Sequence, residues 1–193
     1  MLQKTYNWVM SLADHPRAKI ALAIVSFTES SFFPIPPDPL YLAMALKKRE
    51  AVWNLALLCT LTSVVGGFLG YAIGHGLYEV VGKPIIDMYG YGGSFQKMQE
   101  QFNKWGFWIV ALKGLTPIPY KIVTIASGVS GLDLLTFTIA SLIARGFRFY
   151  TLATLFWFYG AQLREYIERN LTLVTTVLVI FLIGGYFVIK YLF

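Results

Sequence analysis

Apolar residues run along this chain in long stretches set apart by short charged segments, and prolines break two of the stretches. Residues 18–46 are apolar apart from Glu29 and the run Pro34-Ile35-Pro36-Pro37-Asp38-Pro39. A bilayer core of roughly 30 Å takes about 20 helical residues to cross, and the piece over 20–33 falls short of that. Each proline removes a backbone donor and pushes the preceding residue to extended geometry. The pattern therefore predicts two half-length helices around a turn, a re-entrant hairpin, which survives at membrane depth only where protein or water covers it. Lys47-Lys48-Arg49-Glu50 forms a basic loop, and residues 51–77, which contain no Asp, Glu, Lys or Arg, predict a spanning helix. Residues 82–104 are polar, with a loop at Gly90-Tyr91-Gly92-Gly93 and Ser94 placed to cap a surface helix over 95–104.

Residues 105–131 repeat the broken design around Lys113-Gly114-Leu115-Thr116-Pro117-Ile118-Pro119-Tyr120-Lys121. A second spanning helix is expected over 132–160, capped by Asp133, then a charged loop over 162–170 and a C-terminal transmembrane helix within 170–193. Residues 1–17 mix Tyr6, Trp8, Val9, Met10 and Leu12 with polar positions and read as an interfacial helix. Pro34-Ile35-Pro36 and Pro117-Ile118-Pro119 occupy corresponding places, each followed by an apolar half-segment and a long helix. Paired, proline-interrupted segments of this kind point to a transporter site between inverted repeats. The expected fold is an all-α integral membrane protein: two inverted re-entrant helical hairpins, over about 18–46 and 105–131, plus spanning helices. With the N-terminus cytoplasmic, Lys4, Arg17, Lys19, Lys47, Lys48, Arg49, Arg164 and Arg169 fall inside and Lys83, Lys97, Lys104 and Lys190 outside. That bias favours this orientation.

Composition agrees with this picture. Of 193 residues, 56% are apolar and only 13% charged, and the mean hydropathy is +0.60. A soluble domain usually carries nearly twice that share of charge. The net charge of +6 is explained by basic loops facing anionic lipid, and no nucleic-acid-binding motif accompanies it. Cys59 is the sole cysteine, and His15 and His75 are isolated, so neither a metal site nor another cofactor is expected. Gly66, Gly70 and Gly74 share a helix face and allow close approach, either by a second copy in a homodimer or by the chain's own helices.

Glu29, Asp38, Lys113, Lys121, Arg145 and Arg148 all fall at predicted membrane depth. Each costs roughly 2.5–3.5 kcal/mol at a helix centre on insertion scales, so they should face one another or a watery cavity. Arg145 and Arg148, three apart, share a helix face. Four bases against two acids leave a positive surplus, which suits an anion, phosphate above all. Arg145, Arg148, Lys113 and Lys121 are thus candidate substrate-binding residues. Glu29 and Asp38 are candidates for proton coupling, and Pro34, Pro36, Pro117 and Pro119 shape the hairpin tips.

Phe27-Thr28-Glu29-Ser30-Ser31-Phe32-Phe33-Pro34-Ile35-Pro36-Pro37-Asp38 resembles the first re-entrant motif of the DedA family, also called the SNARE-associated Golgi protein family. Ala144-Arg145-Gly146-Phe147-Arg148-Phe149 resembles the arginine-bearing helix of its YqaA-like branch. The resemblance implies movement of phospholipid or polyprenyl-phosphate carriers between leaflets, often linked to the proton gradient. It also implies that Glu29 and Asp38 stand at the family's acidic pair. Lys113 and Lys121 fall where better-studied members carry Arg, and Lys lacks the bidentate fork. A lipid flippase or transporter is therefore expected, with a proton-coupled antiporter for small cations or drugs as the alternative. A lipid phosphatase is not expected, because neither histidine has an Asp or Ser partner at a suitable spacing.

Overall fold

The computed structural model describes residues 11–32, 36–88, 92–113 and 119–169. Every long element among them is an α-helix: α1 (Ala18–Ser31), α2 (Asp38–Lys47), α3 (Val52–Leu77), the short α4 (Lys83–Met88), α5 (Gly92–Lys113), α6 (Tyr120–Val129) and α7 (Leu134–Arg169). A 3-10 turn, Arg49–Ala51, leads into α3, and a π-helical turn, Tyr78–Gly82, links α3 to α4. Residues 11–14 form the helical turn that precedes α1. The remainder of the expected interfacial helix, Pro34, Pro117 and the C-terminal crossing over 170–193 lie outside the described residues.

Among the described residues a pair of helices flanks each proline-broken turn. α1 and α2 have 14 and 10 residues. The chain comes back on itself, since Lys47 at the end of α2 pairs with Asp14 ahead of α1. Ala18 and Leu22 accordingly share a core with Met44 and Ala45. Pro37 caps α2 and Pro39 occupies its first turn, where a missing N–H costs nothing. Pro36 is exposed beside them. α5 and α6 fold back in the same manner: Gln99 Nε2, early in α5, donates to the carbonyl of Val129 at the end of α6 (3.3 Å). Pro119 caps α6. Gly131, at φ 64°, closes it with Leu132 N–H bonding the Ser127 carbonyl, a left-handed stop that suits glycine.

α3 is the centre, with α1, α6 and α7 packed around it. Its glycine face is filled from within the chain. A Cβ on Gly66 would overlap the Phe27 carbonyl oxygen, and one on Gly74 the Ile125 carbonyl oxygen. At Gly70 it would strike Thr124 Oγ1, with the Ser30 carbonyl oxygen 3.3 Å away. On the other side, Gly128 admits the Tyr71 carbonyl. The stripe that left a homodimer open is thus the seat of α1 and α6. Serine hydroxyls bind α1 to α3. Ser26 Oγ donates to the Cys59 carbonyl (3.0 Å), Ser30 Oγ meets Ser63 Oγ (2.6 Å), and Ser31 Oγ donates to the Gly66 carbonyl (2.9 Å).

Three boundaries differ from expectation. Ser94 is not a cap: α5 begins at Gly92 and runs without a break to Lys113. The switch from polar to apolar at Lys104-Trp105 changes what surrounds the helix, and no proline there interrupts its backbone. α7 continues to Arg169, past the expected stop at Gly160. One glycine costs only about 1 kcal/mol, and the Gln, Leu, Arg and Glu that follow are good helix formers. Among the described residues one helical stretch, Arg49–Gly82, is clearly long and apolar enough to cross a membrane. With 36 residues, α7 has the length, but Arg145, Arg148 and its hydroxyl-bearing residues make it less apolar.

Asp133 does cap α7, its Oδ2 accepting the Thr136 N–H (2.8 Å) and hydroxyl (3.0 Å). These bonds hold its carboxyl below the usual carboxylate range. The stabilisation is therefore present above the ordinary carboxylate pKa and is lost as pH falls through the depressed one. Asp133→Ala should lower the melting temperature of detergent-solubilised protein modestly at neutral pH. The gap from wild type should close in strong acid.

Candidate functional site

The two acids and two arginines expected at membrane depth come together as two ion pairs. Glu29 lies in the last turn of α1, Asp38 opens α2, and both arginines project from one face of α7. Arg145 Nη2 donates to Glu29 Oε2 at 3.0 Å. Arg148 Nη2 donates to both oxygens of Asp38, at 3.0 and 2.8 Å. The three-residue spacing on α7 thus matches acids on either side of the first proline turn. Ser30 Oγ also lies 3.3 Å from Glu29 Oε2 and joins that carboxylate to the serine seam.

The pairs differ in exposure. The Arg145 and Glu29 side chains are 1% and 13% exposed, whereas those of Arg148 and Asp38 are 37% and 34% exposed. The first is a buried pair and the second opens to the surface of the fold. The Arg145 guanidinium lies 4.7 Å from the Tyr120 ring centroid and 5.1 Å from that of Phe149. Such faces attract a cation by about 0.5–2 kcal/mol but offer its N–H groups no acceptor. Among the described residues Arg145 Nε and Nη1 are buried with no hydrogen-bond partner, and the buried Tyr120 Oη and Ser141 Oγ have none but each other.

Of the two lysines, Lys121 is in the first turn of α6, half-buried, directly after Tyr120. Lys113 closes α5. Thr124, one turn on from Tyr120, donates through Oγ1 to the Ser30 carbonyl (3.3 Å) and ties the second proline-broken half to the first beside Gly70. Tyr120, Ser141 and Thr124 are absent from the sequence-based candidates. Tyr120 and Ser141 are neutral, and only their convergence on Arg145 marks them. A signal did exist in the i, i+4 spacing of Ser141 and Arg145, which puts a hydroxyl on the arginine face.

The sequence matches the VTT domain over residues 33–158. The chain belongs to the VTT-domain, or DedA, family. The VTT match takes in Asp38, Lys113, Lys121, Arg145 and Arg148, and Glu29 lies just ahead of it. A protein of Haemophilus influenzae described as uncharacterized is 32% identical over 190 residues, 98% of this chain and 96% of its own. One from Histophilus somni, also described as uncharacterized, is 32% identical over 185 residues, 96% of each chain. A third relative, undecaprenyl phosphate transporter A of Staphylococcus aureus, is 27% identical over 119 residues, 57% of this chain and 59% of its own. No solved structure matches the chain. Membership in the VTT family makes this a membrane protein.

Proposed function

We propose that this chain is a bacterial inner-membrane transporter that moves a phosphate-bearing lipid carrier, of the polyprenyl-phosphate kind, from one leaflet to the other. The observation that carries the reading is Arg145: a fully buried guanidinium in mid-helix, with one hydrogen bond to a carboxylate and its Nε and Nη1 donors open. Keeping such a charge at membrane depth is costly, and in transport proteins it marks the substrate path. Membership in the VTT family and the relative named for undecaprenyl phosphate supply the substrate class.

In this reading α1–α2 and α5–α6 are re-entrant hairpins that enter from opposite faces, and α3 and α7 cross the bilayer. The lipid phosphate approaches past the half-exposed Asp38–Arg148 pair and reaches Arg145. Lys121 and Lys113 add positive charge from the second half. Protonation of Glu29 removes the negative charge that neutralises Arg145 and releases the guanidinium to phosphate. Loss of the proton returns Glu29 to Arg145 and displaces the lipid. Asp38 and Arg148 work the outer gate by the same exchange. Rocking of the two halves on the glycine face of α3 turns the site from one leaflet to the other.

Proteoliposomes under an imposed pH gradient test the coupling. Wild-type exchange of a labelled polyprenyl phosphate should follow the gradient, and exchange by Glu29→Gln should be insensitive to it. A Glu29→Gln protein that still tracks the gradient would remove Glu29 from this role.

A further inference from the structure

Behind the Arg145–Glu29 pair, Arg145 Nε and Nη1 have no partner among the described residues, and Tyr120 Oη and Ser141 Oγ have none but each other. All three residues are deeply buried, Arg145 and Ser141 at 0% exposure and Tyr120 at 2%. Their placement is built. Ser141 stands one turn before Arg145 on α7, the Tyr120 ring lies under the guanidinium, and the Ser141 side chain stands beside the Tyr120 hydroxyl. Gly67 on α3 leaves room for that hydroxyl, since a Cβ there would come 3.1 Å from it. Buried polar groups are nearly always hydrogen-bonded, and exceptions grouped in one place call for an occupant.

The chemistry of the atoms specifies that occupant. Two are obligate N–H donors, and the two hydroxyls donate when offered an acceptor. Glu29 holds only Nη2 of the guanidinium, so its other donors can serve a second group. A tetrahedral oxyanion meets these conditions, because its oxygens accept from several directions.

We propose that Tyr120 and Ser141 are substrate-binding residues, and that their hydroxyls together with Arg145 Nε and Nη1 bind the phosphate oxygens of the transported lipid. The assignment rests on the phosphate-lipid reading above and adds to it a hydroxyl half of the site. With no partner but each other among the described residues, these hydroxyls contribute to ligand binding more than to the resting fold. A hydroxyl that donates to a charged acceptor typically changes affinity about tenfold or more.

The test is ligand-induced thermal stabilisation of purified full-length protein by a short-chain polyprenyl phosphate, the corresponding phosphate-free polyprenol, and inorganic phosphate. Wild type, Tyr120→Phe, Ser141→Ala and the double variant are compared. The variants should melt where wild type does without ligand, and half-saturation by polyprenyl phosphate should move up about tenfold or more in the double variant. Polyprenol should not stabilise any of them. Stabilisation by inorganic phosphate that weakens in the same variants would show that the phosphate group itself is what the hydroxyls bind. Unchanged half-saturation in both single variants would overturn the assignment. So would a lowered unliganded melting temperature with unchanged half-saturation, which would make the hydroxyls structural. Hydroxyl-dependent binding by a wild-type protein that exchanges no lipid would keep the binding site and remove the transport reading.

Discussion

Arg145→Ala should abolish lipid exchange and also destabilise the protein, and the two effects are separable. Glu29 keeps its place at the end of α1, largely buried, after its partner is gone. Removing one member of a buried ion pair typically costs about 3–5 kcal/mol, because the other is left uncompensated. The Tyr120 and Phe149 ring faces would border a void as well. The double variant Arg145→Met with Glu29→Leu removes both charges at similar volume, and replacements of that kind are often neutral or stabilising. Its melting temperature should therefore return to near the wild-type value while exchange stays absent. Thermal melts in detergent read the first quantity, and a leaflet-exchange assay reads the second. Recovery of both in the double variant would mean that the pair only fastens α1 to α7.

The second large effect is steric. Gly66→Ala and Gly74→Ala should each lower stability by about 1–3 kcal/mol or more, the usual range for overpacking. The groups in the way are backbone carbonyls of Phe27 and Ile125, which cannot rotate aside as a side chain can. α1 or α6 must therefore move off α3, and the serine bonds from α1 would lengthen with it. Gly76→Ala is the control, because nothing lies within 4 Å of a Cβ there. Alanine is the better helix former by about 1 kcal/mol, so that variant should melt at or slightly above wild type. Equal melting of all three would contradict the packing of α1 and α6 on this face.

The extent to which this fold was legible in sequence follows from what each signal measures. Proline placement marked the starts of α2 and α6, because the chemistry that interrupts a helix is local. Polarity misplaced the ends of α5 and α7. It reports what surrounds a helix, and both Lys104-Trp105 and residues 162–169 change surroundings without breaking the backbone. Glu29, Asp38, Arg145 and Arg148 stood out because charge at membrane depth is expensive. Their pairing did not, since it depends on α1 and α2 meeting α7 across more than a hundred residues of chain. Tyr120, Ser141 and the serine seam escaped for a different reason. A neutral hydroxyl on an apolar helix is common, and only tertiary packing shows whether its donor has a partner.

The central claim is that the chain carries lipid phosphate across the bilayer, and the direct measurement is exchange between leaflets. Purified full-length protein is placed in liposomes that carry a labelled polyprenyl phosphate or the matching labelled polyprenol. The account predicts protein-dependent exchange of the phosphate-bearing lipid and none of the polyprenol. Absence of exchange from protein shown to be folded, or equal exchange of both lipids, would contradict it.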